Sequence, residues 1–158
     1  MIWQTRNLTE FRQAASDFLS GLTPLTNSAC VVGLSGDLGS GKTTFSQAVG
    51  KNLGIQEFIT SPTFTIMKKY KIPTTPASES HPSLEKEGIS GFTTLIHIDA
   101  YRLDSERELR VLGFEKLLQD SGNLIFIEWP EKVSGILPTD LIKLNFKFIN
   151  ENEREIEK

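Results

Sequence analysis

Apolar residues recur at helical spacing in two stretches of the first third of the chain. In the first stretch they repeat every three or four positions, the period of a helix with one buried face. These positions are Phe11, Ala14, Ala15, Phe18 and Leu19. The pattern predicts an amphipathic helix over residues 9–21, with Thr9 as its N-cap and Gly21 at its end. Residues 42–53 show similar spacing and predict a second helix.

Strands are predicted where apolar residues run together or alternate with polar ones. Short apolar runs bounded by polar residues are typical of buried strands. Three such runs occupy residues 29–34, 95–99 and 123–128. Residues 142–148 alternate instead, which is the period of a strand with one wet face. A further strand-like stretch leads from Thr60 to Tyr70.

A capping-box pattern predicts another helical segment in the second half of the chain. Ser105 is followed three positions later by Glu108, so each side chain can bind a free backbone N–H of the first turn. Gly113 is expected to interrupt this segment before residues 114–118.

Helices and strands therefore alternate along most of the chain. Such alternation predicts a three-layer α/β fold with a mixed, partly parallel sheet. We assign residues 1–150 to a single domain. Residues 72–91 are rich in Pro, Ser, Thr and Glu without periodicity, and we expect a flexible surface insertion there. Residues 151–158 are expected to form a polar C-terminal tail outside the core.

Composition indicates an ordinary soluble protein. The 158 residues are 38% hydrophobic and 23% charged, which suffices for one buried core. The formal net charge of −3 argues against a protein that grips nucleic acid mainly by electrostatics. Residues 1–6 lack the apolar run of a signal peptide, and no apolar stretch is long enough to span a bilayer. We expect a cytoplasmic protein without membrane contact, with its single cysteine, Cys30, in the core.

The most specific motif joins the strand at residues 29–34 to the helix at residues 42–53. It is a complete phosphate-binding loop. Its members are Gly36, Asp37, Leu38, Gly39, Ser40, Gly41, Lys42 and Thr43. Glycines allow backbone N–H groups to turn toward phosphate oxygens at the N-terminus of a helix. Lys42 is predicted to contact the β- and γ-phosphates, and the Thr43 hydroxyl to bind Mg²⁺. The expected fold is thus that of the P-loop NTPases.

Two predicted strands end in a carboxylate that could manage this metal. Asp99 and Glu128 occupy equivalent strand ends, and the carboxyl ends of parallel strands meet at one edge of a sheet. A phosphate-binding loop requires such an acid to hold Mg²⁺ directly or through water. From the residues alone, one acid takes the metal and the other the attacking water, and either assignment is open.

Three neighbours of these acids have less specific chemistry. Arg102 could reach a phosphate or form a surface salt bridge, and the two are equally compatible with its position. Trp129 could pack on a nucleotide, on a partner or within the core. His97 has no companion with metal-ligand spacing and is expected to be structural.

The chain lacks the motifs with which GTPases read guanine. No Asn-Lys-x-Asp tetrapeptide occurs, and Asp99 is followed by Ala-Tyr-Arg rather than by the x-x-Gly of a GTPase switch. ATP is therefore favoured over GTP. A small-molecule kinase usually needs an arginine-rich lid, and residues 72–91 contain no arginine, which weakens that alternative without removing it.

Several segments together resemble the bacterial TsaE (YjeE) family, over roughly residues 9–146. The loop continues as Thr44-Phe45, and residues 61–65 read Ser-Pro-Thr-Phe-Thr. Residues 97–103 read His-Ile-Asp-Ala-Tyr-Arg-Leu, and residues 127–130 read Ile-Glu-Trp-Pro. Gly-Ile-Leu-Pro at residues 135–138 also matches. The combination and order of these motifs are far more specific than the loop alone.

This resemblance implies a function in tRNA modification. Members of the family are ATPases required for forming N6-threonylcarbamoyladenosine next to the anticodon of tRNAs that read codons beginning with A. The resemblance implies ATP and Mg²⁺ as cofactors and the TsaD and TsaB proteins as partners. We expect tRNA to be contacted only through that complex, because the chain shows no tRNA-reading element.

The resemblance also implies roles for individual residues. It makes Thr43 and Glu128 the Mg²⁺ ligands and Asp99 a second acid needed for hydrolysis. With Lys42, these acids form the predicted catalytic set. The predicted nucleotide contacts are the loop residues 36–43, Thr44 and, by a loose match to the first helix, Thr9 and Glu10. The insertion at residues 72–91 departs from the family, whose members usually have a short turn there.

Two other functions stay open beside this one. The chain could be a small-molecule P-loop kinase, or a nucleotide-dependent binding switch whose hydrolysis merely resets its contacts. Residues 60–65 lie where such switches commonly occur, and the Thr63 hydroxyl could sense the γ-phosphate or its metal.

Overall fold

The structure, a computed structural model, describes residues 1–62, 64–73 and 91–158, whose strands form one mixed sheet. The strands are β1 (Ile2–Thr5), β2 (Cys30–Ser35), β3 (Met67–Lys71), β4 (Thr94–Asp99), β5 (Asn123–Glu128), β6 (Ile142–Phe148) and β7 (Arg154–Glu157). Their order is β1-β7-β6-β2-β5-β4-β3. The central strands β6, β2, β5 and β4 run parallel, and the outer pairs are antiparallel. The predicted mixed, partly parallel sheet is confirmed.

Helices cover both faces of this sheet. They are α1 (Leu8–Ser20), α2 (Lys42–Asn52), α3 (Glu106–Val111), α4 (Phe114–Leu118) and a 3₁₀ helix (Pro130–Ile136). On one face, Val32 and Leu34 of β2 join a buried cluster with residues of α1 and α2. On the other face, Val31 joins a cluster with α3, α4 and the 3₁₀ helix. Because successive strand residues point to opposite faces, one strand serves both clusters, and the three-layer arrangement is confirmed.

The first helix begins earlier than the sequence pattern predicts. Its N-cap is Asn7 rather than Thr9, and the Asn7 Oδ1 atom accepts a 2.9 Å hydrogen bond from the Glu10 backbone N–H. The Glu10 carboxylate in turn accepts hydrogen bonds from the Arg6 backbone N–H at 2.8 Å and the Asn7 Nδ2 amide at 3.1 Å. These bonds satisfy the Glu10 N–H in the first turn and the Arg6 N–H just before the helix, and they leave Thr9 inside the helix.

The strand predicted within residues 60–70 is shorter than expected. A turn precedes it, in which the Thr65 and Ile66 backbone N–H groups both donate to the Pro62 carbonyl, at 2.9 and 2.6 Å. Ile66 has a φ of 64°, a left-handed conformation outside the β region of regular strands. The ladder with β4 therefore begins only at Met67.

The prediction that residues 151–158 lie outside the core is wrong. Residues 154–157 form β7, which lies between β1 and β6 in the sheet, and Ile156 is fully buried. Ile156 is opposite Phe146 on one side and Trp3 on the other. β7 is stable with a single apolar residue because the strands on both sides, β1 and β6, form backbone hydrogen bonds with it.

Other local predictions are confirmed. The Glu108 carboxylate accepts a 3.2 Å hydrogen bond from the Ser105 backbone N–H at the start of α3. Gly113 has a φ of 79° and separates α3 from α4. Cys30 is buried, and burial raises the pKa of its thiol to about 11, as expected for a core residue and not for a nucleophile.

Two predicted features fall partly or wholly outside the described residues. Thr63, whose hydroxyl could sense the γ-phosphate or could belong to an ordinary loop-to-strand connection, lies outside them. The insertion predicted at residues 72–91 is described only at Ile72, Pro73 and Gly91. Within the described parts of the chain, none of the helices has the length and apolar character that crossing a membrane requires.

Candidate functional site

The phosphate-binding loop connects β2 to α2 at the carboxyl edge of the parallel strands. Gly36 begins the loop with a φ of 137°, and a Cβ atom there would lie 2.2 Å from the Phe146 carbonyl oxygen. Gly41 has a φ of 108°, and its Cβ would lie 3.0 Å from the Phe11 ring. Any larger residue would push the loop away from β6 or α1, so both glycines are required by close packing as well as by backbone conformation.

Lys42 lies beneath this loop and is 4% exposed. Its Nζ atom donates hydrogen bonds to the Gly36 and Asp37 carbonyls, at 2.6 and 2.8 Å, and lies 4.5 Å from the centre of the Trp129 ring. Burial lowers the pKa of Lys42, and the nearby carboxylates, chiefly Glu128, oppose that shift. The ammonium is thus held at the loop by two neutral carbonyl acceptors, which an anionic phosphate could replace with a charged one.

Glu128 ends β5 and bonds to both neighbouring elements. Its Oε1 atom accepts a 2.8 Å hydrogen bond from the Thr43 hydroxyl at the start of α2. The same oxygen lies 2.8 Å from the His97 Nε2 atom on β4. The structure therefore brings the two predicted metal ligands together, and it adds a histidine that the sequence had marked only as structural.

Asp99 ends β4 directly beside Glu128, with which it is in register. Its Oδ1 atom accepts a 3.0 Å hydrogen bond from the Tyr101 backbone N–H, and its Oδ2 atom accepts a 3.3 Å bond from the Ser61 hydroxyl. Both acids are about 95% buried. Their adjacency follows from the parallel pairing of β4 and β5, as the sequence predicted.

Trp129 follows Glu128 in a left-handed conformation, with φ 59° and ψ 51°. Its backbone N–H donates to the Leu34 carbonyl at 3.2 Å, which holds the turn against β2. The centre of its ring lies 5.1 Å from the centre of the Tyr101 ring, and the two ring planes meet at 49°. A bulky residue with a left-handed backbone conformation is strained, and such strain is concentrated at functional sites.

A cavity of about 230 Å³ opens between the loop and the strand ends. It is lined by residues of the loop, the α2 N-terminus, both acids and three further side chains. These residues are Leu38, Gly39, Gly41, Lys42, Thr43, Thr44, Ser61, Asp99, Tyr101, Glu128 and Trp129. Most of the predicted site thus surrounds one space. Three predicted loop residues, Gly36, Asp37 and Ser40, support the loop without lining this cavity.

Two predicted contacts lie elsewhere. Glu10 lines neither this cavity nor the one next to it, because its carboxylate caps α1. The Arg102 guanidinium lies 4.6 Å from the centre of the Phe64 ring, and Arg102 is not among the residues that line the cavity. Among the described residues Arg102 forms no salt bridge. Its contact with a phosphate stays a prediction.

A second cavity, of about 330 Å³, adjoins the first on the side of α1 and β7. The two share the loop residues Gly39 and Gly41 and the helix residue Thr44. Its remaining lining comes from both ends of the chain, namely Thr5, Asn7, Leu8, Phe11, Glu151, Asn152 and Arg154. No sequence pattern predicts this cavity, because the polar residues 151–158 predict a tail outside the core.

The oxygen donors beside the loop fit a hard divalent cation that takes most of its other ligands from phosphates and water. Thr43 and Glu128 offer oxygen donors within 2.8 Å of each other. Among the described residues there is no group of three or more His, Cys, Asp or Glu side chains that could hold a metal ion by itself. Mg²⁺ is characteristically bound by one or two protein ligands together with phosphates and water, so the residues present fit that ion.

Sequence reasoning overlooked Ser61 and Tyr101 as members of the site. Both belong to segments that match known motifs, yet neither side chain carries chemistry specific enough to indicate a role. Their position next to Asp99 depends on how residues 60–66 fold back onto the end of β4, where the Asp99 backbone N–H donates to the Ile66 carbonyl at 2.9 Å.

Comparison with known proteins agrees with this geometry. Residues 5–156 match the family described as threonylcarbamoyl adenosine biosynthesis protein TsaE. The tRNA threonylcarbamoyladenosine biosynthesis protein TsaE of Rickettsia bellii is 36% identical over 146 residues, which is 92% of this chain and 85% of that protein. The protein of the same name from Bacillus subtilis is 31% identical over 154 residues, covering 98% and 82%.

A solved structure shows the same fold. The crystal structure of YdiB from Bacillus subtilis superposes with a TM-score of 0.68 at 27% sequence identity. The match covers 99% of this chain and 82% of that one. Together with the family match across nearly the whole length, these similarities show that the chain belongs to the TsaE family.

Proposed function

We propose that this chain binds ATP with Mg²⁺ and hydrolyses it as an accessory step in forming threonylcarbamoyladenosine on tRNA. The observation that carries the proposal is the 2.8 Å hydrogen bond between the Thr43 hydroxyl and the Glu128 carboxylate, beside the buried Lys42 ammonium. A phosphate-binding loop with its metal-binding hydroxyl already against a strand-end acid is the arrangement that ATP hydrolysis requires.

The triphosphate would occupy the cavity of about 230 Å³ between the loop and the strand ends. Backbone N–H groups of the loop and the N-terminus of α2 favour negative charge there. Lys42 would exchange its bonds to the Gly36 and Asp37 carbonyls for bonds to phosphate oxygens. Since its Nζ atom is already buried, little water has to be removed from it when the phosphates bind.

The two acids would divide the remaining work. Thr43 and Glu128 would hold Mg²⁺, which when bound supplies positive charge to the phosphate oxygens. Asp99 would orient the attacking water by accepting one of its hydrogen bonds. The Tyr101 backbone N–H fixes the Asp99 carboxylate for this task, because a backbone donor cannot rotate away.

The nucleoside would occupy the second cavity, which shares Gly39, Gly41 and Thr44 with the first. A nucleotide that extends from one cavity into the other requires the two to adjoin, and they do. The lining of the second cavity includes the aromatic residue Phe11 and the cationic residue Arg154, residue types suited to a base and its sugar–phosphate. Glu10 would contribute indirectly, by holding Asn7 at the rim of this cavity.

The partners would be TsaD and TsaB. Relatives at 31–36% identity are named as tRNA threonylcarbamoyladenosine biosynthesis proteins. A formal net charge of −3 gives the chain no general attraction for tRNA, so it would meet tRNA only within a complex. Hydrolysis would then be tied to the presence of the partners.

ATP turnover by purified chain, measured with and without TsaD–TsaB, tests the proposal. We expect turnover that requires Mg²⁺, rises when the partners are added and falls about 100-fold or more in Lys42→Ala, because a buried positive charge at the phosphates is lost. Lys51→Ala is the matched control, since Lys51 is exposed at the end of the same helix and should leave turnover unchanged.

Other outcomes would point to other functions. Wild-type turnover in Lys42→Ala would remove the loop from the mechanism. Phosphate transfer to an added metabolite without TsaD–TsaB would indicate a small-molecule kinase. A nucleotide-dependent binding switch would show a different affinity for its partners with ATP than with ADP. Its rate of ATP turnover would not change when the partners are added.

A further inference from the structure

His97 is a fully buried histidine one strand in from the edge of the sheet, next to the proposed metal site. It lies on β4, two residues before Asp99 and on the same face of the strand. Its Nε2 atom is 2.8 Å from Glu128 Oε1, the oxygen that also accepts the Thr43 hydroxyl bond. Both bonds fall on one oxygen of the carboxylate, so Oε2 has no part in either.

The direction of the His97 bond follows from the chemistry of its partner. An ionised carboxylate can only accept hydrogen bonds, so the imidazole donates through Nε2–H. The other ring nitrogen, Nδ1, is buried without a hydrogen-bond partner among the described residues. An unprotonated Nδ1 is the less costly nitrogen to leave alone, and this assigns the tautomer with its proton on Nε2.

Packing alone does not account for a histidine at this position. The residue before it on the same face is Leu95 and the one opposite it on β5 is Phe126, both fully buried in the apolar cluster. Lys68 is opposite it on β3, and the Lys68 ammonium donates to the Thr60 hydroxyl. An apolar side chain could join that cluster without burying an unpaired nitrogen. The one polar contact that the described residues give to His97 is the bond to Glu128. That bond is therefore the feature that distinguishes histidine from an apolar residue here.

We propose that His97 is a positioning residue that fixes the Glu128 carboxylate for binding Mg²⁺. This inference rests on the proposed function. His97 reaches Glu128 from the neighbouring strand, and Thr43 reaches it from α2, so the carboxylate is held from two directions by groups on regular elements. Without the imidazole donor, the Glu128 carboxylate keeps only the Thr43 bond among the residues that the structure describes, and it can rotate about its side-chain torsions.

Nucleotide binding measures this role without relying on turnover. The affinity for ADP is determined by calorimetry with Mg²⁺ and again with EDTA, and the ratio of the two gives the enhancement by Mg²⁺. The variants are His97→Gln, whose side-chain amide keeps a donor of similar reach, and His97→Met, which has similar length and no donor. We expect His97→Met to lose about tenfold or more of the enhancement, as removal of a partner of a metal ligand typically does. ADP affinity in EDTA should stay unchanged, and His97→Gln should retain most of the enhancement.

Ile98→Val is the matched control for stability. Ile98 is buried on the opposite face of β4, so this change loosens the core without touching Glu128. It should lower the melting temperature and leave the Mg²⁺ enhancement at the wild-type value. If Ile98→Val reduces the enhancement as much as His97→Met does, loss of stability explains both and the positioning role is overturned.

The remaining outcomes separate the two proposals. A wild-type protein whose ADP affinity ignores Mg²⁺ would overturn the proposed metal site, and with it the role of His97. A Mg²⁺-dependent wild type with an equally Mg²⁺-dependent His97→Met would overturn the positioning role alone. Equal losses in His97→Gln and His97→Met would also overturn it, because they would show that the ring shape matters and the donated bond does not.

Discussion

The two adjacent strand ends of the site carry the same kind of group in different surroundings. Glu128 and Asp99 are opposite each other in the parallel ladder of β5 and β4, and both are buried. Glu128 is bonded by side chains from α2 and β4. Asp99 is bonded by a backbone N–H just beyond its own strand and by Ser61, which lies outside the helices and strands.

This difference supports the division of work that we propose for the two acids. The partners of Glu128 sit on regular elements that are fixed by the core, which suits a group that must keep a metal in place. Ser61, a partner of Asp99, precedes the turn at Pro62 and the left-handed Ile66, and such irregular segments are those that change on ligand binding. Asp99 is therefore suited to organising water in a state that depends on the nucleotide.

The largest expected effect comes from changing each acid to its amide. Glu128→Gln should raise the Mg²⁺ concentration needed for half-maximal turnover, because the metal loses its counter-charge, and should lower turnover about 100-fold. Asp99→Asn should lower turnover by a similar factor, about 100-fold, because the water loses its acceptor, while the Mg²⁺ requirement stays at the wild-type value. Steady-state ATPase assays over a range of Mg²⁺ concentrations measure both quantities.

The reverse result would invert the comparison. A shift of the Mg²⁺ requirement in Asp99→Asn alone would make Asp99 the metal ligand and leave the water to Glu128. Thr43→Ser is the matched control, because it keeps a hydroxyl on the metal side and should alter the Mg²⁺ requirement only slightly.

A smaller effect is expected on the Asp99 side from Ser61→Ala. The change removes the 3.3 Å hydrogen bond to Asp99 Oδ2 and keeps the backbone as it is. A bond of this kind contributes about 1 kcal/mol, so turnover should fall about fivefold. ADP affinity in the presence of Mg²⁺ should be unchanged, since the Glu128 side is untouched. Loss of Mg²⁺-dependent ADP binding in Ser61→Ala would show that the two strand ends do not act separately.

Much of this arrangement could be predicted from the sequence because its signals are local. The helical spacing of Phe11 to Leu19 and the glycines of the loop each specify their own structure within a few residues. The two acids could be placed at one edge because parallel strands end together. These parts of the fold and site needed no knowledge of distant pairing.

The rest could not be predicted because it depends on distant contacts. β1 and β7 are four residues each, and they form a ladder only because the two ends of the chain meet. The contact between His97 and Glu128 depends on the register of β4 against β5, in which His97 is opposite Phe126 and therefore diagonal to Glu128. No periodicity in either strand specifies that register.

The smallest expected effect tests whether the two strand ends are mechanically linked. Tyr101 lies just past Asp99, and Trp129 lies just past Glu128. The centres of their rings are 5.1 Å apart. Aromatic pairs of this kind contribute about 0.5–1.5 kcal/mol beyond the area they bury. A double-mutant cycle of Tyr101→Leu and Trp129→Leu, measured by urea unfolding, isolates this term. The left-handed backbone of residue 129 is present in both variants that carry leucine there, so its strain cancels from the coupling energy.

We expect a coupling energy of about 0.5 kcal/mol, which would mean that movement of the Tyr101 segment is felt beside Glu128. Single-variant effects that add to within about 0.3 kcal/mol would instead show two strand ends that share a cavity and respond independently.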